Sequence, residues 1–474
     1  MTTKRHRDDR LAFTAIPTAI IQQIALYIPD SKDFFSYLSC FQDAQGGETL
    51  GELGHFLELS TKLEPTDLWP KLQLRLLAPS LVPSVRCVTR FFTTISVFEV
   101  FDVTLLQQCL HPHNVVELLE CPPRDLVHQW LAAPVSMLPV KHITFTSQDP
   151  DACDLFLDQL PCMSGLASLS FRNSVVRGFG RLFAFIQASS TLTRLHLSMI
   201  YLSNLIERVH RFQRVFMDVE RIRSPAQFQR QHLEILGEWL RRCPATSIDL
   251  KRWDIDFDDE TCVANLLDAI FTSSSLENVA VSNPRLGVHI AQMTFPAPLR
   301  LQSLDLSSCN IDGTAMASLV TGLRDSSLTS LSLEENDIGV KGLQSLLDVL
   351  PLSIIQRLRL RRVYLDDSAC KMIATALPSS KLVDLDLSVN RLTDRSADEL
   401  SKVVARATSL TTLNLFDNEI TPQGATALVK ALNGRPQVTT WLDLGGNFIE
   451  GVEVQYLNAM VLKTSQILTA NFRG

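Results

Sequence analysis

From residue 301 onward, apolar and polar residues alternate in a fixed register. Apolar or turn-forming residues fall at Leu301, Leu304, Leu306, Cys309 and Ile311, and the same spacing returns at Leu328, Leu331, Leu333, Asn336 and Ile338. It continues as Ile355, Leu358, Leu360, Val363, Leu365, then as Leu382, Leu385, Leu387, Asn390, Leu392, and then as Leu410, Leu413, Leu415, Asn418, Ile420. The last clear copy is Thr439, Leu442, Leu444, Asn447, Ile449. Within each copy the period-2 leucines predict a short strand with leucines turned inward and the intervening residues turned out. Each strand is followed by a slot usually held by asparagine, where a buried amide would satisfy backbone groups leaving the strand ladder. The spacing then changes to three and four, as in Leu343, Leu346, Leu347 and Leu350, or Leu428, Ala431 and Leu432, which predicts a helix. Gly339, Gly342, Pro422 and Gly424 punctuate the helix starts. Each unit is strand, turn, helix, turn, and it exposes an apolar edge that only a neighbouring unit covers.

Weaker copies carry the pattern backward through Leu276, Val279, Val281 and Leu286, through Ala245, Ile248, Leu250 and Ile255, and through Leu192, Leu195, Leu197 and Leu202. Further copies are Leu166, Leu169, Phe171 and Val176, and then Val140, Ile143 and Phe145, which places the start of the array near residue 138. The interval from 192 to 245 is nearly two periods, leaving room for a degenerate strand over Phe212, Val215, Met217 and Ile222. Tyr456, Met460 and Leu462 predict one more helix, and the stretch from Ile467 to Phe472 a closing edge strand. Residues 45–137 read as a helical linker or N-terminal cap, broken by Pro79, Pro83 and the pair Pro122, Pro123.

The repeated register, with the runs ITPQGATALVKAL and IDGTAMASLVTGL, closely resembles the ribonuclease-inhibitor-like leucine-rich repeats over roughly residues 270–463. The resemblance implies an α/β solenoid, a horseshoe with parallel strands on the concave face and helices on the convex face, occupying residues 138–474. Residues 1–44 read as a basic tail and a helical segment, and residues 13–44 carry a second resemblance. Ile16, Pro17, Ile20, Ile24, Tyr27, Ile28, Pro29, Asp33, Phe34, Tyr37, Leu38 and Cys40 look like the start of an F-box. The family's short helices dock on a Skp-type adaptor and tie a substrate receptor to a cullin ubiquitin ligase. That resemblance makes Ile16, Pro17, Ile20, Ile24 and Ile28 the adaptor-docking candidates. After Cys40 the sequence departs from the family, since Phe41, Gln42, Asp43 and Ala44 stand where a basic residue and a tryptophan belong. The other reading of the segment is a helical hairpin that caps the array. The repeats are also similar to those of the Ran GTPase-activating protein, which implies a GTPase regulator as the rival function, contacting a Ran-like small GTPase.

Composition narrows the field. The 474 residues are 46% hydrophobic and 20% charged, with a formal net charge of -7, so the chain is globular and lacks the surplus of Lys and Arg that phosphate binding requires. A nucleic-acid partner is disfavoured. The ten cysteines contain no CxxC pair and read as small buried hydrophobes of a reducing compartment, cytoplasmic or nuclear. Lys4, Arg5, His6 and Arg7 suit either a solvated tail or a nuclear address. The uncharged run from Leu11 to Pro29 is interrupted by Pro17, Gln22 and Gln23, which argues against a membrane span.

No phosphate loop, nucleophile elbow, HExxH helix or calcium loop appears, so the expectation is a non-enzyme without cofactors. Cys109, His111, His113, Cys121 and His128 are zinc-ligand types at spacings of no common finger, and they read as packing and surface residues. The outward strand positions give the binding candidates. One repeat fills four of them with Arg357, Arg359, Arg361 and Arg362, an anion-binding patch in isolation. Flanking strands, about 4.8 Å away, place Glu334 and Glu335 on one side and Asp384 and Asp386 on the other. A cross-strand ion ladder is therefore expected, pairing Arg361 with Glu334, Arg362 with Glu335, Arg357 with Asp384 and Arg359 with Asp386. Further along, Phe416 and Asp417, then Trp441 and Asp443, combine aromatics with acids in the manner of interface anchors, the other reading being that the C-terminal cap folds over Trp441.

Overall fold

The computed structural model describes residues 17–41, 50–132, 135–203, 227–255, 260–295, 298–435, 438–463 and 466–473. Two compact units emerge, one mainly of residues 1–192 and the other of residues 193–201 and 212–474.

The first unit opens with helices α1 (Thr18–Leu26) and α2 (Ser31–Ser39). Five parallel strands then pair in chain order, β1 (Leu72–Leu74), β2 (Thr94–Val97), β3 (Val115–Leu118), β4 (Val140–Phe145) and β5 (Ser168–Val176). Helices Val82–Thr89, Val103–Cys109, Val127–Ala132 and Pro150–Gln159 connect them. The strand pattern thus begins at Leu72 rather than near residue 138, and the stretch 45–137 contains three strands as well as helices. Their inward residues are Leu72, Leu74, Ile95, Val97, Val116 and Leu118, short alternations without the turn asparagine of the later repeats.

The second unit forms β6 (Arg194–Leu202), β7 (Gln227–Phe228), β8 (Ser247–Lys251), β9 (Asp254–Ile255), β10 (Asn278–Ser282), β11 (Ser303–Asp305) and β12 (Ser330–Ser332). It continues through β13 (Arg357–Arg359), β14 (Asp384–Asp386), β15 (Thr412–Asn414), β16 (Trp441–Asp443) and β17 (Ala470–Asn471). All but β7 and β9, which pair with each other, join one parallel ladder in chain order. Strands β6 and β8 are direct neighbours, Arg194 opposite Ser247, so no further strand intervenes in the ladder. Phe212, Val215, Met217 and Ile222 themselves lie outside the described residues.

The repeat core follows the register. Leu304, Leu331, Leu358, Leu385, Leu413 and Leu442 stand opposite one another and are buried. At each turn the asparagine amide works as a clamp. Asn390 accepts from the N–H groups of Val363 and Leu365 and donates to the carbonyls of Leu360, Leu387 and Ser388. Asn336 repeats this with Cys309, Ile311, Leu306, Leu333 and Glu334. Asn418 and Asn447 take the same slot. The residue just before this slot adopts a left-handed backbone in successive repeats, with φ of 54° at Ser308, 56° at Glu335, 54° at Arg362, 55° at Val389 and 53° at Asp417. Only Gly446, with φ of 69°, meets that demand with a glycine among these repeats.

Carboxylates link the helices as well. Asp367, at the start of helix Asp367–Ala376, accepts from the N–H and hydroxyl of Thr393 and from the Ser396 hydroxyl. Asp394 does the same for Thr421 and Gly424 one repeat later. The terminal helix, Val452–Leu462, buries Val454, Leu457 and Val461, whereas Tyr456 and Leu462 face solvent. The closing strand β17 pairs with β16, Leu442 opposite Ala470.

Candidate interaction surfaces

Helix α1 has two unlike faces. Ile21 and Ala25 are fully buried, and the hairpin is held by α2, whose Phe34 stacks on Trp69 at 4.4 Å between ring centroids. Trp69 Nε1 donates to the Ile28 carbonyl at 2.6 Å, and Phe56 meets the edge of Phe34 at 5.2 Å. Asp30 caps α2 by accepting from the Asp33 N–H. The opposite face carries Pro17, Ile20, Ile24 and Tyr27 at spacings of three and four, which align on one side of a helix. Ile20 and Ile24 are 46% and 47% exposed and Tyr27 is 88% exposed. Of the sequence candidates, Pro17, Ile20 and Ile24 share this stripe, Ile28 is half-buried at the turn, and Ile16 lies outside the described residues. Tyr27, whose exposure only the fold reveals, completes the stripe.

The second surface is the outward strand face of the second unit. Arg357 lies opposite Asp384 and Arg359 opposite Asp386, as the register requires. Of the expected side-chain pairs, Arg362 with Glu335 forms, and the other arginines pair differently. Arg359 approaches Glu334 at 3.8 Å, Arg361 approaches Glu335 at 3.9 Å and Arg362 approaches Glu335 at 3.7 Å. The expected pairings of Arg361 with Glu334, Arg357 with Asp384 and Arg359 with Asp386 are not among the ion pairs of the described residues. Arginine is long enough to reach diagonal neighbours about 7–8 Å away between backbones. Asp386 is moreover engaged by the Ser388 N–H at 2.9 Å and the Asn414 amide at 3.1 Å. Every arginine contact exceeds hydrogen-bond length, so the ladder is loose and its donors stay open to solvent.

The carboxylates on this face feel their burial. Glu334 is pushed above the usual range by burial, with Asp386 and Asp305 adding repulsion that Arg359 and Arg361 only partly offset. Asp384 is likewise raised by burial, against the attraction of Arg359 and Arg357. Further along, Trp441 is 42% exposed, the closing strand leaving its ring uncovered, and Phe416 is half-buried. Asp417 is exposed. Asp443 accepts through one oxygen from the Gly445 N–H and the Asn471 amide. Tyr364 and Phe448 are exposed just beyond their strands, and Arg391 stands over the Tyr364 ring at 5.9 Å. Sequence reasoning missed these rim residues because they follow the turn slot, outside the strand alternation.

The histidine and cysteine candidates serve local structure. Cys109 is buried with its thiol pushed up to about 11 by desolvation, Cys121 donates to the Thr146 carbonyl, His111 contacts the Arg86 carbonyl and His128 pairs with Asp149. Among the described residues, no group of three or more His, Cys, Asp or Glu side chains is arranged to hold a metal ion. No helix among them is long and apolar enough to cross a membrane.

These features define a leucine-rich-repeat α/β architecture whose working parts are exposed surfaces. The chain carries leucine-rich repeats homologous to those of ribonuclease inhibitor and of the NACHT, LRR and PYD domains-containing proteins. A family profile described as Leucine Rich repeat matches residues 301–320, 324–347 and 406–429. Mouse ribonuclease inhibitor is 28% identical over 202 residues, covering 41% of this chain and 44% of that protein. NACHT, LRR and PYD domains-containing protein 5 of Homo sapiens is 28% identical over 220 residues, 39% of this chain and 18% of that protein. The mouse protein 12 of the same series is 34% identical over 139 residues, 28% of this chain and 13% of that protein. The matches thus span less than half the length of each of these relatives. Among solved structures, the yeast Rad7 and Elc1 complex aligns with a TM-score of 0.48 at 15% identity, covering 90% of this chain and 94% of that chain. Leucine-rich-repeat proteins bind protein partners, and this chain is built as such an interaction scaffold.

Proposed function

We propose that the chain is a substrate receptor with two working surfaces, α1 docking a Skp-type adaptor of a cullin ubiquitin ligase and the strand face of the second unit holding the protein to be delivered. The observation that carries the reading is the division of α1. A helix kept only as a cap would bury its apolar residues, whereas α1 leaves Ile20, Ile24 and Tyr27 in water while α2 fixes it from behind. An apolar stripe on a rigid short helix is the surface a helical adaptor recognises. The inner face meanwhile covers the start of the first unit, so capping and docking are two faces of one hairpin.

The client surface runs from β13 to β16 and includes Arg357, Arg359, Arg361, Arg362, Asp386, Phe416, Asp417, Trp441 and Asp443. Exposed arginine and aromatic side chains on a rigid sheet are the residue types that dominate interface energies. The reading is tested by titrating a purified Skp-type adaptor into the chain by calorimetry. Binding by the wild type, reduced at least ~30-fold by Ile20→Asp with Ile24→Asp while the fold is retained, supports it; about 2 kcal/mol of lost apolar contact corresponds to that factor. No binding by the wild type removes the adaptor. A Ran-like GTPase retained on the strand face, with its hydrolysis accelerated, would establish the GTPase-regulator alternative instead.

A further inference from the structure

We infer that the strand face of β14 to β16 is the seat of a cationic, lysine- or arginine-bearing segment of a protein partner. The inference rests on the reading of this face as a binding surface and names what it holds. Charge is the first argument. The outward strand positions of β14, β15 and β16 and the residues up to the turn slot include Asp384, Asp386, Asp417 and Asp443 and no basic residue, and Arg391, which follows the slot after β14, stands over the Tyr364 ring of the preceding repeat. In the nearest repeat of opposite sign, that of β13, Arg359, Arg361 and Arg362 approach Glu334 and Glu335, while Arg357 and Arg359 attract Asp384 and leave Asp417 and Asp443, two and three strands away from β13, to a partner. On the far side Arg473 follows the closing strand and makes no ion pair among the described residues.

The hydrogen bonds divide these carboxylates. Asp386 is engaged through both oxygens. Asp443 uses one oxygen for the Gly445 N–H and the Asn471 amide, leaving the other open, and the exposed carboxylate of Asp417 makes no hydrogen bond among the described residues. The open acids are flanked by rings. Trp441 lies two residues before Asp443 on the same side of the strand, and Phe416 stands on the neighbouring strand opposite Gly445. With roughly 3.3 Å of rise per residue, the levels of the two rings are about 13 Å apart along the strands, with Asp443 midway. A cation there meets a free carboxylate oxygen with an aromatic residue to either side along the strands, and tryptophan is the strongest such partner.

Backbone strain supplies an independent argument. Val389, with φ of 55°, is a β-branched residue in the left-handed region, where such side chains are outliers. Its N–H donates to the Phe416 carbonyl, which ties the Val389 backbone to the repeat that carries Phe416 and Asp417. Glycine fills the equivalent slot at Gly446, so the fold itself does not require a side chain there. The half-buried valine adds apolar surface at this turn, suited to the methylene stem of a long basic side chain.

Trp441 is an internal reporter, since Trp69, Trp130, Trp239 and Trp253 are buried. Emission of the full chain is quenched with caesium and with iodide. A caesium effect at least ~3-fold above that of iodide, equalised by Asp417→Asn with Asp443→Asn, is expected from the local field. A ten-residue peptide with four lysines among leucines is then titrated beside its glutamate counterpart, with binding read by calorimetry. The lysine peptide should bind at least ~10-fold tighter, weaken with salt, and lose at least ~5-fold in the Asp417→Asn, Asp443→Asn chain. Val389→Gly should raise thermal stability yet weaken the lysine peptide, a split that a purely structural valine would not give. Preference for the glutamate peptide, binding by neither, or lysine-peptide binding unchanged in these variants overturns the inference. The wider reading is tested separately by client capture. If Arg359→Glu with Arg361→Glu loses a client that the Asp417→Asn, Asp443→Asn chain keeps, the strand face stands and the cationic seat falls.

Discussion

The two units solve the same packing problem with different side chains. In the second, leucine fills the inward strand positions from Leu304 through Leu444, and asparagine closes most of the turns. In the first, aromatic rings take over. Phe145 and Phe156 stack at 4.0 Å and Phe171 lies parallel at 5.8 Å from Phe145, while Phe34, Phe56, Trp69 and Phe92 cluster beneath the N-terminal hairpin. Among the described residues of the first unit, Asn114 is the one buried asparagine, donating to the Thr89 and Phe92 carbonyls. Equal leucines enforce equal repeats, because each layer has the same volume and the same turn. Large rings fill unequal spaces and let repeat length and register drift.

The most severe way to break this comparison is Leu385→Asp. It buries an unpaired charge in the leucine stack and should cost at least ~4 kcal/mol, seen as loss of the cooperative thermal transition or as aggregation. Phe156→Ala is the matching cut in the aromatic core and should cost about 3–5 kcal/mol, with the loss of protection in hydrogen exchange centred on residues 140–176. If both variants melt with equal loss everywhere, the units do not differ in the way proposed. Asn390→Ala strips five hydrogen bonds from one turn and should cost roughly 2–3 kcal/mol, more than alanine at an exposed asparagine such as Asn458 by chemical denaturation.

The regularity also governs what is legible from sequence. The strands from β10 to β16 are readable because the aliphatic pair of Leu331 and Leu333 recurs in kind at every step and Asn336 at most of them, and the asparagine role follows from the hydrogen-bonding needs of a buried turn. Strands β1 to β3 are not, since Leu72, Ile95 and Val116 sit in runs too short to separate from buried helix by periodicity. The sites divide likewise. The outward register places the arginine strand opposite its acids, yet the choice of Glu334 over Asp386 by Arg359 depends on side-chain reach and on Asn414 occupying the aspartate. The exposure of Tyr27 depends on which side of α1 the Phe34 and Trp69 stack secures, and that contact spans residues far apart in the chain.

Smaller effects sharpen the picture. Burial raises the pKa of Asp367, but hydrogen bonds from Ser396 and Thr393 outweigh it and leave the carboxyl below its ordinary value. Its contribution is therefore present above the unfolded carboxylate value and is lost as pH falls through the lower folded value. Asp367→Asn should cost about 1–2 kcal/mol at pH 7 and progressively less below about pH 4, followed by thermal melting across pH. Glu334 has the opposite sign. Its folded pKa is raised, so its favourable contribution is complete below the unfolded value and disappears as pH rises through the folded value. Glu334→Gln should consequently flatten the stability profile just above the ordinary glutamate range. Val389→Gly should stabilise by about 1 kcal/mol through relief of the left-handed valine, and a loss of stability would remove the strain argument.

The division of labour between α1 and the strand face is tested most directly by affinity capture from cells with quantitative mass spectrometry. The wild-type chain is compared with Ile20→Asp, Ile24→Asp and with Arg359→Glu, Arg361→Glu, each confirmed folded by its melting curve. The account predicts that the first variant loses a Skp-type adaptor and keeps the remaining partners, while the second keeps the adaptor and loses a separate set of clients. Loss of the same partners by both variants, or retention of every partner by the α1 variant, would contradict it.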